Sequence, residues 1–574
     1  MNRIQLLPPE IVSKIAAGEV VERPASVLKE LLENSIDAKA GAIEVTLKDA
    51  GKTLIRVKDN GSGIPEQDID NIFQRHATSK IQSIEDLYNI NSLGFRGEAL
   101  YSIGAISDVI LRSRTDAQEH GWEIHLRANL KAAKKPATMQ RGTDIEVREL
   151  FFNTPARKKF LKSDTSELNH LLDIFVPYTL LYPAIRFSLN HAAKKIIDLS
   201  PAQNLRARAA EALRLDIKNI IEEKHEFKED ELSVHLVLGD INIQRTRKDL
   251  QFIFINNRPV QNKTISFHLN DVYRLLFSPG VYPFFAAYFT IPVSNVDVNV
   301  HPTKREVKLK DESRIIPLLR RFTEQVLMTR SKARQAEKSV FITPGAKQDT
   351  PLAPSALAPS PHRQGALSLE ENMLLFKTGE IFTEKKDDLK EKLLKSRYLG
   401  NLLRKYLLFE APGSLLVVDQ HAAQERIVFE KLKKQIEEGR LEIQELLTPV
   451  IFKLTAQEIM LWEENKASLE KMGFSTTLFD KETLAVHSHP QLIINPEAGV
   501  RNLLAGESIA RMEPEKMARL ACRSSVMAGQ EMNKEQAEYQ RRELLLCKAP
   551  FTCPHGRPTV VEIPEASLGK QFLR

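Results

Sequence analysis

Asp419, His421 and Glu425 fall in the stretch DQHAAQERIVFE (419–430), where an apolar strand-like run, SLLVV, gives way to a helical pattern. Four residues apart, His421 and Glu425 share one helical face, a spacing suited to two ligands of one ion, with Asp419 beside them at the junction. Of the three cysteines, Cys522 stands in ARLACRSSVM and Cys553 stands two residues before His555 in CPHGRP (553–558). Asp419, His421, Glu425, Cys522, Cys553 and His555 make a mixed hard and soft donor set suited to zinc or manganese. Six donors are enough for two adjacent ions, the arrangement that clamps the attacking and leaving oxygens in phosphodiester hydrolysis. Cys547, in ELLLCKAP, reads as core. His487 and His489, in AVHSHPQL, form an H-x-H on a strand-like run that no motif covers, and their roles stay open.

A second chemistry lies near the N-terminus. VKDNGSGIP (57–65) ends a strand on Asp59, followed by Gly61 and Gly63. A buried carboxylate at a strand end can accept from an exocyclic amine, and glycines after it let a flat base and its phosphates approach the backbone. In NSLGFRGEALYSIG (91–104), Gly94 and Gly97 flank Arg96 just before a helix start, where backbone N–H groups suit phosphate. RHATSK (75–80) and QRGTDIEV (140–147) add a basic and a Gly-Thr element. A Walker A loop is excluded: GKT at 51–53 needs a glycine where Thr46 stands. In ELLENSIDA (30–38), Glu30, Glu33, Asn34 and Asp37 crowd one side of a helix whose other side carries Val27, Leu28, Leu31, Leu32 and Ile36. Like charges so spaced repel by a few tenths of a kcal/mol per pair, so the crowding needs a reason.

The elements that must position these groups alternate between helical and strand-like patterns over 1–331, as in TLIRVKD (53–59) and DLQFIFINN (249–257). That region is too long for one compact domain and splits near 215. Residues 332–391, rich in Pro, Ala and Ser, read as a flexible linker of roughly 45 Å root-mean-square span. Pattern returns from 392 to 574, with a strand in GSLLVVD and a helix in HAAQERIVFEKLKKQIEEG. The 574 residues are 42% hydrophobic and 27% charged, with a net charge of +7. That is ordinary for a globular protein and permits nucleic-acid binding without demanding it. The N-terminal stretch lacks a secretory core, and no apolar run is long enough to span a membrane. Few, clustered cysteines without an export signal point to a reducing compartment.

In order, E-L-x-E-N-S-x-D-A, D-N-G-x-G-I, R-H-A-T-S-K, G-F-R-G-E-A-L and a later G-T resemble the ATP-site motifs of the GHKL ATPase superfamily. The strings GFRGEAL, LFFNTPARKKFL (150–161) and DVNVHPTKREV (297–307) resemble the MutL family in particular, over essentially the first 330 residues. The resemblance implies a multidomain α/β chain. A GHKL (Bergerat) α/β sandwich spans 1–215, a ribosomal-protein-like α/β transducer 216–331, a flexible linker 332–391, and an α/β dimerisation and endonuclease domain 392–574. It implies that Glu33 deprotonates the attacking water and that Asn34 ligates Mg²⁺ on the phosphates. Asp59, Gly61, Gly63 and Thr143 would serve the adenine. Gly94, Phe95, Arg96 and Gly97 would cover the triphosphate, and Lys304 would reach the γ-phosphate of ATP. Glu30 and Asp37 are expected to be supporting or salt-bridged residues.

D-Q-H-A-x-x-E-x-x-x-x-E, A-C-R (521–523), C-P-H-G-R-P and a final F-x-R resemble the endonuclease motifs of one MutL branch. They imply a Zn²⁺ or Mn²⁺ site that nicks the strand carrying an error. QELLTP (444–449) is similar to peptides that dock into the sliding clamp, through Gln444, Leu447 and Pro449. Arg258 and Lys263 align with a basic stretch lining the DNA groove, and RKKFLK (157–162) is a further basic segment. The implied partners are double-stranded DNA, a second copy joined through the C-terminal domain, a mismatch-recognition protein of the MutS type and the sliding clamp. The implied location is cytoplasmic and nucleoid-associated, in a bacterium, with no membrane. The alternative is an ATP-regulated matchmaker whose metal is structural. A histidine kinase or gyrase subunit is disfavoured, since no region resembles a phosphoacceptor helix or a cleavage domain.

Overall fold

Apolar residues at helical spacing and Pro24 in the first turn produce helix α1, Pro24–Asp37, in the computed structural model. The structure describes residues 21–80, 93–94, 97–131, 134–192, 194–274, 276–277, 281–292, 295–297, 308–310, 312–339, 386–504, 509, 512–521 and 532–567. Phe95, Arg96, Lys304, Cys522 and the final F-x-R lie outside the described residues.

The first sheet uses β1 (Ala42–Lys48), β2 (Leu54–Asp59), β3 (Asp108–Arg114), β4 (Gly121–Arg127), β5 (Gly142–Arg148), β6 (Arg186–His191) and β7 (Lys194–Leu199), in the spatial order β4-β3-β5-β2-β1-β6-β7. β1 runs antiparallel to β2 and parallel to β6. α1 and helix α2 (Asp164–Leu181) share one core with this sheet through Leu28, Leu31, Leu32, Leu171, Phe175 and Phe187. Along β2 the inward positions are Ile55, Val57 and Asp59. The two-residue period that buries the apolar pair therefore turns the terminal carboxylate inward as well.

A second sheet is built from β8 (Ile220–Phe227), β9 (Leu232–Gly239), β10 (Gln251–Ile255), β11 (Arg258–Val260) and β12 (Phe285–Thr290), in the order β8-β9-β12-β10-β11. Helix α3 (Lys263–Tyr273) packs on it through Ile265, Leu269 and Tyr273. Helix α4, Glu312–Ser339, runs past 332, where the linker was expected to begin. The reason is local: SKARQAEKS has no Pro or Gly and is rich in helix formers. Near the linker's other end, helix α5 covers Lys386–Lys395. Residues 340–385 lie outside the described residues.

In the C-terminal region, β13 (Arg397–Leu402), β14 (Tyr406–Ala411), β15 (Ser414–Asp419) and β19 (Val560–Pro564) form one sheet in that order. Helix α6 (Gln420–Glu437) follows β15 directly. β16 (Ile443–Lys453), β17 (Ser475–Leu478) and β18 (Thr483–Pro490) form another, ordered β16-β18-β17. The chain divides into two compact units, and Ile451–Lys466 and Thr477–Ala485 group with Met1–Met328 rather than with the rest of 392–574. A buried guanidinium needs carboxylates, and Arg245 finds Asp249 and Glu458, both at 2.7 Å. Among the described residues, no helix is long and apolar enough to cross a membrane.

Candidate nucleotide and metal sites

The crowded arc of α1 is not a solvated face. Glu33 is buried and accepts at Oε1 from the Tyr178 hydroxyl at 2.5 Å, with Lys29 Nζ 3.7 Å away. Lys80, the last residue of RHATSK, places its ammonium 2.9 Å from Asn34 Oδ1 and 2.5 Å from Asp37 Oδ2. Asp37 also accepts from the backbone N–H of Leu93 at 3.0 Å and of Gly94 at 3.2 Å, tying the glycine motif to the helix. Two cations, a phenol and two peptide donors thus offset the like-charge repulsion. Asp37 is salt-bridged to Lys80, and Glu30 also takes part in an interaction of its own.

Asp59 ends β2 opposite Thr143 of β5. It is buried and accepts from Ser35 Oγ and from the Gly61 N–H, each at 2.8 Å. Burial pushes its carboxyl up, and hydrogen bonds from Gly61, Ser35 and Thr143 pull it back only in part. Thr143 Oγ1 lies 3.1 Å from Ser113 Oγ, which in turn accepts from the Ile64 N–H at 2.8 Å. Residues from β2, β3 and β5 thus converge at one end of the sheet. A Cβ on Gly94 would stand 3.3 Å from Lys80 Nζ, 3.8 Å from Asn34 Oδ1 and 4.0 Å from Asp37 Oδ2, so this glycine faces the same polar cradle. A cradle with an amide oxygen already accepting a cation fits a magnesium nucleotide, provided Lys80 gives way at Asn34.

In the C-terminal region, Asp419 closes β15 and caps α6, accepting from the Ala422 N–H at 2.9 Å. One turn on, Glu425 is buried with His421 Nε2 3.4 Å from Oε1, and with His555 Nδ1 at 3.3 Å and an Arg557 NH2 at 2.9 Å from Oε2. Burial would raise the Glu425 carboxyl, but His421 and His555 hold it well below the usual range. Burial likewise opposes ionisation of Cys553, yet donation from His555 and Arg557 leaves its thiol lowered on balance. Ligand atoms of Glu425, Cys553 and His555 all lie within 4.8 Å of one another. His421 Nδ1 is buried without a hydrogen-bond partner among the described residues. A carboxylate, a thiol and an imidazole at this spacing, with a second imidazole nitrogen unpaired, fit a divalent ion of the zinc class.

The remaining candidates are placed separately. Gln444, Leu447 and Pro449 lie on β16, a strand at the edge of its sheet. Leu447 is fully exposed. Arg258 begins β11 and Lys263 begins α3, where its side chain is exposed. Cys547 is buried in the core with its thiol pushed up to about 12 by burial. His489 is buried with Nδ1 2.9 Å from the Pro490 carbonyl, and His487 is exposed. Sequence reasoning did not identify Tyr178, Ser35, Ser113, Lys80 or Arg557 as site residues. Lys80 and Arg557 stand inside quoted motifs and were within reach; Tyr178 carries no motif signal at all.

Three family models match in order along the chain. They are a histidine kinase-, DNA gyrase B- and HSP90-like ATPase over residues 19–150, a DNA mismatch repair protein C-terminal domain over 215–328, and a MutL C-terminal dimerisation domain over 399–532. The DNA mismatch repair protein MutL of Clostridium tetani is 32% identical over 627 residues, covering 100% of both chains. That of Clostridium acetobutylicum is 33% identical over 623 residues, again with 100% of both covered. The Aquifex aeolicus MutL ATPase domain complexed with ADP is 31% identical, covering 48% of this chain and 93% of that one at a TM-score of 0.38. An ATPase module followed by a repair module and a dimerisation module, with relatives this similar from end to end, means that the chain belongs to the MutL family of DNA mismatch repair proteins.

Proposed function

We propose that this chain couples mismatch recognition to strand nicking by its own metal-dependent endonuclease, under control of ATP. In this reading residues 1–215 bind and hydrolyse ATP and 216–331 transmit the change, with Lys304 reaching the γ-phosphate. Residues 392–574 dimerise and cut, joined to the first region through the Pro-, Ala- and Ser-rich stretch that lies between α4 and α5. Glu33 acts as the general base, Asn34 holds Mg²⁺, and Asp59 with Thr143 reads the adenine. Gly61 and Gly63 shape the adenine loop, and Gly94, Phe95, Arg96 and Gly97 cover the triphosphate.

Asp419, His421, Glu425, Cys522, Cys553 and His555 hold the endonuclease metal, zinc or manganese. Bound there, the ion supplies a Lewis acid and an activated water. Arg557, against Glu425, steadies that carboxylate. Gln444, Leu447 and Pro449 dock into the sliding clamp, and Arg258 and Lys263 contact DNA phosphates without reading sequence. The partners are double-stranded DNA, a second copy of the chain and a MutS-type protein, in the bacterial cytoplasm at the nucleoid.

The observation that carries the nuclease reading is the convergence of Glu425, Cys553 and His555 on one point, beside a helix capped by Asp419. The test is nicking of supercoiled plasmid with Mn²⁺ by the parent chain and by Asp419→Asn. Asparagine caps a helix as well as aspartate does, so this variant removes the charge and keeps the fold. Loss of nicking with ATP hydrolysis intact supports the reading. A parent chain that holds metal but never nicks is a matchmaker with a structural metal, and the proposal fails.

A further inference from the structure

The buried carboxylate of Glu33 is held from a distant part of the chain. Tyr178 lies on α2, 145 residues away in sequence, and its hydroxyl donates to Glu33 Oε1 at 2.5 Å. Lys29 approaches the same oxygen at 3.7 Å. Among the described residues, the hydrogen bond and the ion pair both fall on Oε1, while the Glu33 side chain keeps 11% of its surface exposed. Tyr178 itself is rigidly placed. It is 2% exposed and belongs to the core that also contains Leu171, Phe175 and Phe187. Two residues further along α2, the Leu180 carbonyl accepts from the Tyr288 hydroxyl of β12 at 3.0 Å, which pins the end of the helix. Burial and the neighbouring Glu33 charge push the Tyr178 phenol well above its ordinary range, which favours the protonated, donating form.

We propose that Tyr178 is a positioning residue for ATP hydrolysis: by holding Oε1 of Glu33 it fixes the carboxylate rotamer and turns the other oxygen toward the attacking water. This rests on the reading of Glu33 as the general base. A carboxylate on a flexible stem must be held close to one geometry to take a proton in the transition state, and misplacement costs rate rather than binding. A charge-assisted hydrogen bond from a core phenol supplies that restraint without competing for the proton, because a phenol is a far weaker acid than a carboxylic acid. A buried phenol also needs an acceptor for its own sake, and the experiment must separate the two roles.

The test is steady-state ATP hydrolysis by the full chain, comparing the parent, Tyr178→Phe, Glu33→Gln and the double variant. Phenylalanine keeps the ring in the core and removes only the donor. The expected result is a fall in kcat of about tenfold for Tyr178→Phe, the loss of one restraining hydrogen bond. KM for ATP and the affinity for a non-hydrolysable analogue stay within about twofold, a change worth well under a single hydrogen bond. In the Glu33→Gln background, adding Tyr178→Phe slows the residual rate no further, since the restraint has no base left to act on. A parental kcat in Tyr178→Phe overturns the proposal, as does an equal loss in both backgrounds or a change confined to KM. If Glu33→Gln itself turns over at the parental rate, the reading of Glu33 as base fails first, whatever Tyr178→Phe does.

Discussion

Replacing Gly63 by alanine measures how tightly the loop after β2 is built. Gly63 has φ +72°, and a Cβ on its present backbone would stand 2.1 Å from the Arg114 carbonyl oxygen and 2.6 Å from its carbon. Carbon and oxygen normally approach no closer than about 3.3 Å, so the loop must back away from the end of β3 by roughly 1 Å. That displacement breaks the 2.8 Å bond from the Ile64 N–H to Ser113 Oγ, at a cost of about 1 kcal/mol. The left-handed backbone costs an alanine about 1–2 kcal/mol more. The total, about 2–3 kcal/mol, lowers the ATPase-domain transition by roughly 5–10 °C.

Gly413→Ala is the internal control: Gly413 has φ +68° with nothing within 4 Å of the added carbon, so it bears only the backbone cost. Scanning calorimetry compares each variant with the parent at the transition of its own domain, because a multidomain chain has no single midpoint. Binding of a fluorescent ATP analogue should weaken at least about tenfold for Gly63→Ala, one factor of ten per 1.4 kcal/mol transmitted to the loop, and stay unchanged for Gly413→Ala. If Gly63→Ala loses no more stability than Gly413→Ala and binds ATP like the parent, the contact with Arg114 is not a constraint and the reasoning is wrong.

Glu33→Gln should bind ATP and barely hydrolyse it, and it is a cleaner probe than Glu33→Ala because the amide oxygen still accepts from Tyr178, whose buried hydroxyl would otherwise lose about 1–3 kcal/mol. Asn34→Ala should lose the magnesium dependence of nucleotide binding; titrations with and without Mg²⁺ that match the parent remove Asn34 as the ligand. Cys553→Ser should lower metal affinity tenfold or more, read by elemental analysis after dialysis, and parental metal content would place the ion elsewhere. Leu447→Ala should weaken clamp binding about thirtyfold through lost burial in the partner, with no change in thermal stability because this side chain is fully exposed; undiminished binding in a surface-capture assay would refute the docking motif.

The sequence alone determined which residue types stand where local chemistry needs them. Asp59 at the end of an alternating strand, the carboxylates and amide on the polar side of α1, and His421 with Glu425 on one helical turn are all consequences of backbone periods of two and 3.6 residues, which are readable without a fold. It also marked 332–391 as rich in Pro, Ala and Ser, though not that α4 continues to Ser339. Tertiary structure decided the partners. Nothing local brings Cys553 and His555 to Glu425, aims the Tyr178 hydroxyl at Glu33, or places Lys80 between Asn34 and Asp37. QELLTP became an edge strand through pairing in its sheet, and the buried Arg245 pairs with Glu458, far away in sequence. Such contacts depend on long-range packing, which no short-range period encodes, and a buried polar group takes whichever partner that packing brings within reach.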